Sequence, residues 1–456
     1  MEMNKVKLGE IAKTNRTTFC VDDFDEILYL DTSSVTNGIF DDFIHLSKND
    51  KIPSRAKRAV KDKTIIYSTV RPNLQHFGIF DNPKENVVVS TGFATIDVID
   101  NLANPKFLYY YLTQDKFTNY LHTIATNNVS SYPSINPSDL ENLELEIPDI
   151  QTQTAIARVL SSLDDKIELN NKINKELENL AKTIYEYWFV QNADRNWERK
   201  KVATLIQNQK NGDWGKETKQ GNYTEKVTCI RGTDINSLIG NNELKAPERY
   251  ILEKNNNKFL TDGDFVIEIS GGSPTQSTGR MAYILDEILK GFDTPLICSN
   301  FCKSVSLKDK NIFYYFMFVW KQLYDNGLFF GYEGKTSGIK NFLFDDFVSS
   351  YEISVPTTKI LEKFNKTVSP LFSTIIKNKQ ESSNLAQLRD FLLPLLMNGQ
   401  ITISEEQNKP IIAPFKLFAD DDTDFQTWKK IGLAARGNID EKTLRNIYEA
   451  IDENDR

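Results

Sequence analysis

The chain has 456 residues and is 40% hydrophobic, 26% charged and 11% aromatic, values that suit two to four globular domains and exclude a disordered polymer. A net charge of −8 removes any global basic signature for nucleic acid, though only as a whole-chain average. No run approaches about 18 apolar residues, the length of a membrane span. The opening MEMNKVKLGE lacks the apolar core of a secretory signal. The four cysteines (Cys20, Cys229, Cys298, Cys302) are the sparse usage of an intracellular chain. The expected compartment is the cytoplasm.

A first globule is expected over residues 1–150. Its most basic window is KNDKIPSRAKRAVKDK (48–63), with 7 Lys/Arg against 2 Asp/Glu. Lys51, Arg55, Lys57, Arg58 and Lys61 are candidate phosphate contacts, since an acidic chain binds DNA only through local positive charge. A strand-like run, KDKTIIYST (61–69), leads into the polar loop VRPNLQHFG. There Arg71, Asn73 and Gln75 are residue types that read guanine and adenine edges. A strand over VVVSTGFATIDV (87–98) and an aromatic helix start, FLYYYL (107–112), follow. A late polar loop offers Asn127, Asn128, Ser130, Ser131 and Tyr132 as further DNA candidates.

Ile147-Pro148 then opens a helix predicted over 151–195. The stretch Ala155 to Phe189 contains no glycine and no proline. Ile156, Leu160, Leu163, Ile167, Leu177, Leu180 and Ile184 recur at steps of three and four, the mark of a helix packed along a seam. Asn170 and Asn174 interrupt that seam. Polar residues at seam positions cost stability but fix register and partner. The aromatic end Tyr185 to Phe189 suits either a partner surface or a cap on a domain core.

The pattern then repeats. A second globule over 196–354 carries strand-like TDGDFVIEIS (261–270), the loop GGSPTQSTGR, the strand LICSNFCKSVSL (296–307) and the aromatic helix start IFYYFM (312–317). Ser273, Thr275, Gln276 and Arg280 are the counterparts of the first base-reading loop. Tyr332, Lys335, Thr336 and Lys340 are those of the late loop. Val355-Pro356 stands 208 residues after Ile147-Pro148 and opens a second helix, predicted over 355–402. A shift of 208 places Phe364, Val368, Leu371, Ile375, Leu385, Leu388 and Leu392 on the first apolar seam, and Asn378 and Ser382 on Asn170 and Asn174. Two equivalent halves favour antiparallel pairing of these helices. Pro370 and Pro394 predict a kink or break in the second helix. Residues 403–456 form an acidic tail without an assigned role, with FADDDTDF as a loop and DEKTLRNIYEAI as a small helix; from 401 onward there are 8 Lys/Arg against 12 Asp/Glu.

Catalytic signatures are not legible. NPK and NPS occur, but not the Asn-Pro-Pro-aromatic turn of an adenine methyltransferase. GYEGKTSG (331–338) fails the phosphate-loop spacing, because Phe329 stands where the first glycine belongs. IPDIQTQ has no acidic-x-Lys partner, so it is not a nuclease core. His45, His76 and His122 are isolated, and Cys298 and Cys302 have no histidine near enough in sequence for a zinc site.

SSYPSINPSDLENLELEIPDIQTQTAIARVLSSLDDKIELNNKINKELENLAKTIYEYWF in the first half, with ISVP and LRDFLLPLLMNGQITI in the second, resembles the specificity subunits of type I restriction–modification systems. The resemblance covers about residues 5–402 and not the tail. It implies an α+β chain: two mixed α/β target recognition domains alternating with two long helices that pair as an antiparallel coiled coil. It further implies a non-catalytic subunit in which each domain reads one half of a split double-stranded DNA target. The helices would dock two methyltransferase subunits and admit restriction subunits. No cofactor is expected on this chain, since S-adenosylmethionine would belong to the methyltransferase. Independently of the family, a helix of about 35 residues spans roughly 50 Å, or about one and a half turns of B-DNA. Two unlike globules on such a spacer suit two unlike, separated half-sites. Two alternatives stand beside this reading. A two-headed protein-binding scaffold without DNA specificity is favoured by the net charge and disfavoured by the basic window. A fused restriction enzyme is opposed by the missing catalytic motifs.

Overall fold

The computed structural model describes residues 2–99, 101–128, 133–240, 244–271, 273, 275–336, 339–401 and 403. The tail assigned above to 403–456 lies outside the described residues except for Ile403. The described chain divides into two compact units. Unit 1 runs to Lys166 and resumes at Leu385; unit 2 is Ile167–Asn384. The division therefore falls inside the two long helices rather than at their ends.

The two units share one plan. In unit 1, Asn4–Lys7 pairs antiparallel with Glu144–Ile147, so the first strand closes on the last strand before the long helix. In unit 2, Glu198–Lys201 pairs in the same way with Glu352–Val355. A four-stranded antiparallel sheet follows in each. Its order is Ala12–Thr14, Phe93–Val98, Ile65–Ser68, Phe77–Ile79 in unit 1, and Ile206–Asn211, Cys302–Leu307, Asp264–Glu268, Met281–Tyr283 in unit 2. A second sheet in each unit contains one parallel pair, Glu26–Leu30 with Val87–Ser90 or Tyr223–Ile230 with Leu296–Cys298. The runs 87–98 and 296–307, expected as single strands, are each two strands in different sheets. The bend at Thr91-Gly92 redirects the first, with Gly92 N bonded to Ser90 Oγ.

Each core is built on segments of both long helices. In unit 1, Tyr67, Phe77, Phe107 and Leu160 cluster with Leu396 and Met397. In unit 2, Phe265, Phe316, Trp320 and Phe329 join Leu177, Ile184 and Phe364 in one buried cluster. The aromatic end of the first helix is part of that core: Tyr185, Trp188 and Phe189 are all buried, and Phe189 packs edge-on against Phe364 at 4.7 Å. It caps a domain core and is not a free partner surface.

The long helices, here α1 (Ile150–Glu186) and α2 (Thr358–Met397), have 37 and 40 residues. Asp149 caps α1, its Oδ1 accepting from the amides of Gln151 and Thr152 at 3.0 Å. Those bonds hold its carboxyl below the usual range. α2 ends at Gly399, whose φ of +67° is the left-handed conformation glycine adopts without strain. The break expected at Pro370 and Pro394 does not occur; α2 is continuous through both. Each proline removes one ladder bond. The buried flank of Val368, Leu371 and Phe372 holds the chain helical around the first, and the second lies in the last turn.

Pairing is antiparallel within each unit. In unit 2, Asn378 Nδ2 donates to Asn174 Oδ1 at 2.8 Å. Asn170 Nδ2 reaches Ser382 Oγ at 3.3 Å and Glu381 Oε2 at 2.8 Å. Trp188 meets Phe364 at 6.0 Å. Positions thus rise on α1 as they fall on α2. Of the expected seam, Ile156, Leu160, Leu177, Ile184, Phe364, Val368, Leu371 and Ile375 are buried, as are Asn170, Asn174 and Asn378. Leu163, Ile167, Leu180, Ser382, Leu385 and Leu392 are half-buried. Leu388 is a correction: it is 44% exposed. Arg389 turns inward instead and bonds Asp164 at 2.7 Å. Ile173 and Ala181, not selected from sequence, complete the seam with no exposure.

The central layer is incompletely satisfied. Asn170 Oδ1, Asn174 Nδ2 and Lys379 Nζ are buried without a hydrogen-bond partner in the described protein. Lys379 lies 3.9 Å from Glu178, and burial pushes its ammonium down to about 8. Asn378→Leu is expected to lower stability by about 1–3 kcal/mol, because it strips the Asn174 amide of its donor. Replacing Asn170, Asn174 and Asn378 together by leucine should raise the melting temperature. Because the folded value of Lys379 is depressed, the unfolded state binds more protons between about pH 8 and 10.5, and stability should rise across that window. Lys379→Met should flatten the rise, measured by thermal melts against pH.

Candidate nucleic-acid interface

In unit 1 the first candidate base-reading loop is a tight turn, Pro72–Leu74, flanked by two left-handed residues, Arg71 (φ 46°) and Gln75 (φ 54°). Neither is glycine, so this backbone is held against its preference. The surroundings that hold it are visible. Arg71 N donates to Pro133 O at 2.9 Å and Ile135 N to Thr69 O at 2.9 Å, which staples the turn to the end of the late loop. Asn37 N donates to Gln75 O at 2.8 Å on the other side. Asn37 and Gly38, both at positive φ, form the turn of a short hairpin, Val35–Thr36 with Ile39–Phe40. His76 lies with Nδ1 2.7 Å from Val35 O, which fixes the hairpin and assigns the proton to that nitrogen.

Three segments therefore converge, and they display Arg71, Asn73 and Leu74 to solvent, with Gln75 half-buried. Asn127 is exposed on the helix Asp115–Asn128, which Asn128 closes. Ser130, Ser131 and Tyr132 lie outside the described residues. The basic window joins the same region through one bend: Thr91 N donates to Arg55 O at 2.8 Å, and Thr69 N to Gly92 O at 2.9 Å. Lys51, Arg55, Lys57 and Lys61 are exposed. Arg58 is half-buried on the strand Ala56–Ala59, with its Nε enclosed; of the five it is the least available to a phosphate.

In unit 2 the two predicted loops also meet, but more of their charge is used internally. Arg280 is a correction. Its guanidinium forks onto Glu268 at 2.9 and 2.6 Å, and the pair is almost closed off, with side chains 14% and 2% exposed. Glu268 holds the Arg280 guanidinium in its charged form. This arginine neutralises a buried carboxylate and is not a base reader. Lys340 binds Glu333 Oε2 at 3.0 Å and Gln276 O at 3.4 Å, and lies 4.9 Å over the ring of Phe330. Glu333 Oε1 in turn accepts from Thr278 N at 2.8 Å. The strand Ile339–Phe342 is thereby tied to the loop carrying Ser273, Thr275 and Gln276. Ser273 Oγ accepts from Gln276 N at 3.1 Å, while Thr275 and Gln276 are exposed. Tyr332 packs on Phe347 at 5.1 Å and its hydroxyl reaches Ser350 Oγ at 3.4 Å, a structural role. Lys335 and Thr336 lie in the strand Glu333–Thr336, which pairs with Ile339–Phe342.

The sequence reading does not single out Leu74, 44% exposed between Arg71 and Gln75, nor Ile39, 61% exposed on the hairpin. The Asn37-Gly38 dipeptide carries the hairpin signal and would have found the second. Among the described residues, no three or more His, Cys, Asp or Glu gather as a metal site, and no helix is long and apolar enough to cross a membrane.

Two halves of one plan, with two long helices paired antiparallel, define a class: a repeated, helix-braced two-domain protein. Residues 1–179 match the family described as the type I restriction modification DNA specificity domain. The chain is 34% identical over 191 residues to the HindI specificity subunit of Haemophilus influenzae, a match covering 41% of each chain. It is 24% identical over 438 residues to the MjaIX specificity subunit of Methanocaldococcus jannaschii, covering 89% of this chain and 94% of that one. The fold is similar to the crystal structure of a type I restriction–modification S subunit from M. genitalium, with a TM-score of 0.52, 18% identity and coverage of 87% and 96%. Over residues 1–179 the chain matches that specificity-domain family, and along most of its length it is similar to type I restriction–modification specificity subunits.

Arg280→Ala is expected to cost about 3–5 kcal/mol of stability by leaving Glu268 buried and unpaired, read as a lower denaturation midpoint.

Proposed function

We propose that this chain is the non-catalytic DNA-recognition subunit of a type I restriction–modification assembly. Each globule reads one half of a bipartite double-stranded target. The antiparallel helices set the gap between the halves and dock two methyltransferase subunits, with places for restriction subunits. S-adenosylmethionine is the cofactor of the methyltransferase and not of this chain. The assembly works in the cytoplasm.

The observation that carries this reading is the repeat itself. Two globules sharing one four-stranded sheet order carry different side chains at equivalent loops: Arg71, Asn73 and Leu74 in one, Thr275 and Gln276 in the other. Equivalent scaffolds with unlike loops suit a ligand with two similar, unlike sites. The match of residues 1–179 to a DNA specificity domain and the likeness to whole specificity subunits support it.

Within the interface the residues divide by chemistry. Lys51, Arg55, Lys57 and Lys61 supply counterion release and orientation, which carry no sequence information. Arg71 and Asn73 on their strained turn are the base-edge readers. Arg71→Ala should therefore weaken binding to the cognate site by about 1–3 kcal/mol and relax preference at one position. Lys57→Ala should weaken all sequences alike and reduce the salt slope by about one. Fluorescence anisotropy against salt concentration separates the two.

The direct test is co-expression with the partner methyltransferase, followed by mapping of modified adenines in the host DNA. Two short defined blocks around a fixed gap are expected. A stable complex that leaves the DNA unmodified would favour the protein-scaffold reading.

A further inference from the structure

A shift of 208 residues maps α1 onto α2, so pairing α1 with α1 of a second copy is as good as pairing it with α2 wherever the two helices carry equivalent residues. The centre is such a place, since Asn170 and Asn174 correspond to Asn378 and Ser382. The flanking layer is not. In unit 1, Tyr110 Oη donates to Asp164 Oδ2 at 2.5 Å, and Arg389 Nη1 donates to Asp164 Oδ1 at 2.7 Å. Tyr110 is 5% exposed, the Arg389 side chain 19% and the Asp164 side chain 32%, so the carboxylate is half-buried rather than sealed. The positions corresponding to Asp164 and Arg389 are Phe372 and Ala181, both buried in unit 2.

The tyrosine is the same in both units. Tyr111 Oη accepts from Glu146 N at 3.0 Å, and Tyr315 Oη donates to Ser354 O at 2.5 Å. Glu146 and Ser354 are equivalent positions, 208 apart. Tyr110 and Tyr314 are the preceding residues. Tyr314 stacks on the Phe372 ring at 5.1 Å, where Tyr110 bonds a carboxylate. Aspartate has become phenylalanine and the crossing arginine has become alanine, in step.

We propose that the Tyr110–Asp164–Arg389 cluster is a pairing lock, which makes α1 select an α2 helix and reject the α1 of a second copy of this chain. An antiparallel α1–α1 pair sets Asp164 against Ala181 at both ends. An α2–α2 pair sets Arg389 against Phe372 at both ends. In the α1–α1 pair each Asp164 loses its arginine, whereas in the α2–α2 pair Arg389 keeps Asp390 of its own helix at 2.9 Å; the loss of the partner of Asp164, more than the strength of the ion pair, is what discriminates. The lock stands apart from DNA recognition, and its test uses no DNA.

The test uses the full chain refolded from denaturant at high concentration, in a Cys20→Ser background, since Cys20 is the exposed cysteine. Lys172→Cys, at the repeat's centre on α1, meets itself only in an α1–α1 pair, so a short bis-maleimide cross-link reports that pairing alone. The parent should cross-link little. Asp164→Phe with Arg389→Ala, which copies the layer unit 2 already packs, should raise the cross-linked dimer by at least about tenfold, the effect of roughly 1.4 kcal/mol. The isosteric Asp164→Asn with Arg389→Gln should also raise it, so the result does not hang on one variant folding. The reversed pair, Asp164→Arg with Arg389→Asp, should stay at the parental level. Parental cross-linking in the neutral variants, or a parent that cross-links as fully as they do, would overturn the proposal.

Discussion

The hydrogen bond from Asn378 to Asn174 is the constraint on which the rest depends. Around it the seam is apolar, and an apolar seam alone does not choose among registers one turn apart. A slip of one turn would keep a single polar pair, Asn170 with Asn378 or Asn174 with Ser382, and set the remaining amides against Ile375, Leu177 or Leu385. The layer is not optimally satisfied, with the Asn170 oxygen and the Asn174 amide nitrogen enclosed without partners, so it costs stability. What it supplies is a single alignment of two long helices, each of which roots the core of a globule. Tyr67, Phe107 and Leu160 pack with Leu396 and Met397 in one unit, and Phe316 and Trp320 with Ile184 and Phe364 in the other.

From that frame the charge of each globule is used differently. Unit 1 leaves its lysines and Arg71 at the surface and holds the turn around Pro72 with backbone bonds. Unit 2 spends Arg280 and Lys340 on Glu268 and Glu333, which leaves less of its loop charge unneutralised. An acidic chain with the proposed reading surface is consistent on this basis. The positive charge that matters is local, and much of the negative excess lies in the tail.

The plan of the molecule was legible in the sequence because it is written twice. The 208-residue shift aligned the seams and the polar gap, and pairing within the structure joins those same positions. Strand positions near Ile65 and Asp264 followed from apolar runs bounded by turn residues. Other features were not legible. Leu388 satisfies the helical spacing as well as Leu392 does, and only the Asp164 carboxylate opposite makes Arg389 the inward residue. Arg280 and Arg71 sit in equivalent loops and look alike as letters. One faces a buried glutamate 12 positions earlier in the chain, and periodicity carries no signal for such a partner. Proline rules predicted breaks in α2 that tertiary packing overrode.

The central claim is that the helix pair sets the distance between two independent readings of DNA. The most direct measurement inserts one heptad into both helices at the repeat's centre, after Asn171 and after Lys379, and maps the methylated motif. Seven residues add about 10 Å of helix, or about three base pairs. The same two blocks are expected, with a gap lengthened by about that amount. An unchanged gap between unchanged blocks would contradict it.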